Sequence, residues 1–168
     1  SPESAGEIGL TGLDREVSSL TREARRARTE ALQSALKTLE TSLRAEKQPL
    51  VRQDLQILVR TARSDLRGMR LAEARQVPYV NVVQLVYSGL RALLDPQVEP
   101  ARRLAAVERM RRYAGLVGGR APIAVQAMER TREGLANPAL LAPARAQIER
   151  DLRNGPVLIE GIRKMLEE

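Results

Sequence analysis

The chain has 168 residues, a net charge of +7 and neither histidine nor cysteine. Those absences remove the usual general base and the soft metal ligands. Zinc sites, Cys-His dyads and Ser-His-Asp triads therefore cannot be built from this chain alone. The apolar fraction of 43% suffices for a core. With three tyrosines and no phenylalanine or tryptophan, that core must be Leu, Val, Ile, Ala and Met, which suit close helix–helix packing.

Of the 28 cations, 25 are arginine. They are spread evenly. Residues 1–84 hold 14 basic and 11 acidic groups, and residues 85–168 hold 14 and 10. Pairs at i,i+4 spacing recur: Arg26 with Glu30, Glu40 with Arg44, Glu108 with Arg112, Glu149 with Arg153, Glu160 with Lys164. Each adds about 0.2–0.5 kcal/mol to a helix. The pattern reads as solvated helix faces rather than a phosphate-binding stripe. The longest uncharged run, Gln76 to Leu90, is too short and polar to cross a bilayer of about 30 Å. The opening residues do not read as a signal peptide.

In chain order, residues 1–20 are expected to be largely loop, with Gly and Ser concentrated in 1–14. Residues 21–75 read as a long helical hairpin. Leu32, Leu36, Leu39 and Leu43 form an apolar stripe, and Gln48-Pro49 breaks the helix because proline lacks a donor and clashes with the previous turn. Val51, Leu55, Leu58, Ala62, Leu66 and Met69 continue the spacing from Leu50 to Arg75. The stretch from Val77 to Tyr87 is β-branched and aromatic, which favours strand, yet its apolar residues also fit a helix over 81–94, and helix is preferred. Asp95-Pro96 ends it.

Residues 78–168 are expected to form shorter helices. One follows Pro100 and stops before Gly118-Gly119. Another runs from Pro122 to Leu135. A third carries Leu141, Ala144, Ile148 and Leu152 and ends at Asn154-Gly155-Pro156, where a last one starts with Leu158, Ile162 and Leu166. The expected fold is all-α: a single domain, 1–168, forming a bundle of six or seven helices.

Asp54 and Asp65 on the second helix are candidate functional carboxylates, but surface or arginine-paired roles fit them better. Gly9, Gly12 and Gly118-Gly119 match no phosphate-loop motif and read as turns. Tyr79, Tyr87 and Tyr113 are too few and scattered for a stacking platform. Tyr79, after a proline in an uncharged stretch, is the strongest of them. Tyr79, Tyr87 and Arg91 are the candidate contact residues. Arg25 and Arg26 lie in a segment crowded with Arg22 and Arg28, and Arg111 and Arg112 follow Arg109. These four, Arg25, Arg26, Arg111 and Arg112, are candidate anion-binding residues. No ligand-spaced acidic cluster suggests a metal, and no cofactor is expected.

Three features in order carry a resemblance. They are the opening P-E-x-A-x-x-x-G-L-T-G-L-D from Pro2 to Asp14, the Pro78-Tyr79 segment with Leu93-Leu94-Asp95, and the run from Arg102 to Met110. The chain resembles the N-terminal part of the bacterial family named domain of unknown function 885. The resemblance implies a relation to zincin-type metallopeptidases, largely helical and often exported or lipid-anchored, with an HExxH helix downstream of this region. No catalytic or metal residue can be carried over. A non-catalytic helical part is implied, structural or substrate-gating, with Tyr79, Tyr87 and Arg91 along a channel. Its partner would be the catalytic region of the same protein, and an exposed apolar face near Pro78 to Leu94 is expected. Two other readings stand beside it: an independent helical module that self-associates or binds partner helices, and a basic helical nucleic-acid-binding protein, which the even charge spread disfavours.

Overall fold

A computed structural model describes residues 1–167, and every named element in it is a helix. They are α1 (Pro2–Glu7), α2 (Arg22–Ala45), α3 (Pro49–Arg75), α4 (Val82–Leu94), α5 (Pro100–Tyr113), α6 (Ile123–Leu135) and α7 (Arg145–Glu167). Local chemistry sets several boundaries. The Thr21 side chain accepts from the Ala24 N–H and starts α2, and Asn81 accepts from Gln84 to start α4. Pro49 and Pro100 occupy first turns, where a missing N–H costs nothing.

The Asn81 cap starts α4, so helix is found over Val82–Leu94 as preferred, while Val77–Val80 lie in no helix or strand. No helix among the described residues is long and apolar enough to cross a membrane.

The hairpin of α2 and α3 packs mainly on itself. Val59, Ala62 and Leu66 of α3 are buried there, facing half-buried Leu32, Leu36, Leu39 and Leu43 of α2. Leu58, placed on the inner stripe by spacing, is half exposed, and its neighbour Val59 takes the inward position. The rest of the fold is arranged around α4, which packs on α1, α5, α6 and α7. Leu90 and Leu93 are fully buried with Ala105 and Ala106, and Ile162 and Met165 of α7 close over them. A second small cluster joins Val17, Tyr113 and Ile123. An isolated bridge ties the end of α3 to the α6–α7 connection, with Val77 N–H donating to Leu141 C=O at 2.9 Å.

Residues 1–20 are largely loop as expected, with the short α1 within them, and they supply buried Glu3, Ala5, Asp14 and Val17 to the body. Two expectations need correction. The two helices divided at Asn154-Gly155-Pro156 are one, α7, with Pro156 inside it and with Leu141 and Ala144 before its start. Proline removes one intrahelical donor and crowds the carbonyl four residues back. Here the packing of Ile162 and Met165 on α4 holds the chain helical across that local defect. The apolar surface expected near Pro78 to Leu94 is not there: of the large apolar side chains in that stretch only Val80 counts as exposed.

Because α7 is continuous through Pro156, Pro156→Ala should stabilise the protein, by up to about 3 kcal/mol. Thermal unfolding followed by circular dichroism measures it. A loss of stability would contradict a straight continuous helix at this point.

Candidate functional site

The inner face of α5 is polar. Arg102, Ala105, Ala106, Arg109 and Tyr113 recur at helical spacing and point inward. Arg109 is 0% exposed. Its Nη1 donates to the Gly89 carbonyl at 2.8 Å, and its Nη2 donates to Leu13 at 2.9 Å and more weakly to Pro2 at 3.5 Å. Its Nε has no partner among the described residues. One guanidinium therefore joins α5, α4 and the N-terminal segment.

Beside it, the Glu3 carboxylate accepts from the Ser18 N–H at 2.9 Å, the Ser18 hydroxyl at 2.6 Å and the Tyr113 hydroxyl at 3.1 Å. Gly89 has no room for a side chain. A Cβ there would collide with the Tyr113 hydroxyl and lie 3.2 Å from Glu3 Cγ. Asp14 takes a two-point bond from Arg102, at 2.8 and 2.7 Å.

These contacts shift the titrations. Burial alone would raise the Glu3 pKa, but the Ser18 and Tyr113 hydrogen bonds favour its anion more, and the net shift is downward. The Arg102 hydrogen bond lowers that of Asp14. Burial, then the Glu3 charge, pushes the Tyr113 hydroxyl far above its usual range. Every buried acid in this cluster is already committed as an acceptor, so the arrangement holds structure and offers no free base.

Two of the surface clefts are lined by residues singled out from sequence. One, of about 630 Å³, lies between α1, α4 and the turn before α5. Tyr87 and Arg91 both line it, with Asp95 and Glu99 nearby. The other, of about 440 Å³, lies between the hairpin and α6, and is lined by Arg25, Arg28, Met69, Ala72 and Arg130. Arg25 is pinned by donating to the Met69 carbonyl at 3.0 Å.

The structure separates the residues that sequence grouped together. Tyr87 and Arg91 share a cleft, whereas Tyr79 is held elsewhere, its hydroxyl donating to Asp151 of α7 at 3.0 Å. Burial first, then Asp151, raises the Tyr79 pKa. The Tyr87 ring packs on α7 at Gly161, where a Cβ would lie 2.8 Å from the ring. Arg25 lines the second cleft and Arg26 lines neither. Arg112 is engaged by Glu108 and Glu16, both at 3.3 Å, and Arg111 is exposed. Of the Arg111–Arg112 pair, only Arg111 makes no ion pair among the described residues. Asp54 and Asp65 are exposed.

Arg109, Arg102 and Glu3 were not selected from sequence. The only signal for the two arginines is their seven-residue spacing, and, Gly89 apart, their partners lie 88 to 107 positions away. Arg130 joins Arg25 and Arg28 only through the packing of α6. No group of three or more acids, the chain having no histidine or cysteine, is arranged to hold a metal among the described residues.

The pH response follows from the two lowered carboxylates. Folded values below the ordinary 4.5 of Glu3 and 3.8 of Asp14 mean that the unfolded chain binds more protons. Their contribution to stability is present above those ordinary values and is lost as pH falls through the lower folded ones. Urea unfolding from neutral to acid pH should show this loss, and Glu3→Gln and Asp14→Asn should each flatten it. An acid limb unchanged in both variants would contradict the assignment.

Compared with known proteins, residues 2–166 match the family model described as bacterial protein of unknown function (DUF885). No curated protein and no solved structure matches the chain.

Proposed function

The chain belongs to the DUF885 family, and from that membership we propose that it is a non-catalytic helical domain that packs against a larger partner region and helps wall a substrate path there. The observation that carries this reading is the orientation of α5. Two of its five arginines, Arg102 and Arg109, face inward, while Leu104 and Val107 face outward at 79% and 61% exposure. A helix that buries arginine and presents leucine to solvent has a second apolar neighbour to meet. On α7, Leu152, Ile159 and Leu166 add an outward stripe at seven-residue spacing, next to the face packed on α4.

In this reading the catalytic chemistry belongs to the partner region, of the zincin type that the sequence resemblance implies. This chain supplies shape. Its own buried carboxylates are spent on internal hydrogen bonds, and it has no histidine or cysteine to offer a metal.

A second reading, self-association, is favoured by α3. Leu50, Ile57 and Leu71 are exposed on the face opposite its packing with α2, at spacings of multiples of seven.

Sedimentation separates the two. The first reading predicts a monomer at low concentration that binds an apolar dye. In it, Leu104→Gln with Val107→Gln should reduce dye binding and change stability by less than about 0.5 kcal/mol per site. A stable, concentration-independent dimer supports the second reading. A loss of about 2 kcal/mol or more in the double variant would show those side chains to be core and would sink the first.

A further inference from the structure

The groove between the hairpin and α6 combines two properties that the proposed packing role does not use. Its floor is apolar, with Met69 and Ala72 of α3 at its centre, and three arginines line it with no carboxylate among the lining residues. Arg25 and Arg28 lie three residues apart on α2 and so project on one side. Arg25 is fixed by its bond to the Met69 carbonyl, which leaves further N–H donors available. Arg28 makes no ion pair among the described residues. Arg130, on the opposite wall, is already opposed by Glu133 at 2.6 Å. The uncompensated positive charge is therefore on the α2 side.

We propose that this groove binds a medium-chain carboxylic acid, its carboxylate held by Arg25 and Arg28 and its chain lying along Met69 and Ala72. The volume of about 440 Å³ falls in the range of about 300–1,000 Å³ typical of small-ligand sites. A guanidinium pair suits a carboxylate because it presents several donors in a fixed fork. The other polar side chains of the lining are consumed by the fold. Thr21 caps α2, and the Ser19 hydroxyl bonds to Gln126 and Thr21. A peptide would bring amide groups that these side chains cannot meet, whereas an acyl chain brings none. The site also has space to be blocked: a Cβ added at Gly68, which lines the groove, meets nothing within 4 Å.

Calorimetric titration with sodium decanoate, kept below its micelle concentration, tests the proposal. Decanoate should bind with one-to-one stoichiometry, more weakly as salt rises, and decanol should bind at least about tenfold less tightly. Arg28→Gln and Arg25→Gln should each weaken decanoate by about tenfold or more, and Gly68→Leu should abolish binding. Arg28 is exposed, so its variant should keep the wild-type fold by circular dichroism. If Gly68→Leu fails to fold, the two arginine variants decide the question. Absence of decanoate binding to the wild type would overturn the proposal, as would an affinity unchanged in both arginine variants. A short peptide with an apolar C-terminal residue that binds more tightly than decanoate would overturn the choice of ligand.

Discussion

The buried Arg109 guanidinium is the contact on which the rest of the body depends. A cation taken out of water costs several kcal/mol unless its donors are satisfied. Here the satisfaction comes from main-chain carbonyls on α4 and on the N-terminal segment. That requirement holds the two in place: if Gly89 or Leu13 moved away, the guanidinium, whose Nε is already without a partner, would lose a further bond. Glu3 and Asp14 reinforce the same junction, the first through Ser18 and Tyr113, the second through Arg102. The segment before α2 is thus fastened by polar contacts more than by apolar area, of which it buries little.

This choice has a consequence for the outside of the molecule. With α5 turned to place Arg102 and Arg109 inward, its leucine and valine face outward, and the apolar core beneath is small, built of Leu90, Leu93 and alanines. The hairpin of α2 and α3 contributes a separate apolar seam of its own. Outward apolar stripes on α3, α5 and α7 together describe a chain that keeps hydrophobic surface available for contact. The link between the buried polar cluster and the proposed packing role is therefore direct: the same rotation of α5 produces both.

Much of the helix order was legible because periodicity and punctuation agree. Thr21, Pro49, Asn81 and Pro100 begin helices by simple capping or first-turn chemistry, and the leucine stripe of α2 meets α3 as its spacing requires. Reading failed where a long-range contact outweighed a local signal. Pro156 reads as a stop, but packing on α4 carries α7 through it. Residues 1–20 are loop outside α1, as read, but no local signal shows that Arg102, Arg109 and Tyr113 bind them to the body. Only the distant partners Leu13 and Asp14 reveal why Arg109 and Arg102 point inward. Tyr87 and Arg91 line one cleft because four residues make about one helical turn. The grouping of Arg25 and Arg28 with Arg130 depends on tertiary packing and left no mark in the sequence.

Site-resolved hydrogen exchange on Arg109→Met tests the central claim most directly. The protection of the Ser18 amide, which donates to Glu3, and of the amides in α1 reports the N-terminal segment. The account predicts that exchange there accelerates by about tenfold or more, while amides of the α2–α3 hairpin keep their wild-type rates. Unchanged protection across residues 2–18 would contradict it, as would equal acceleration in the hairpin.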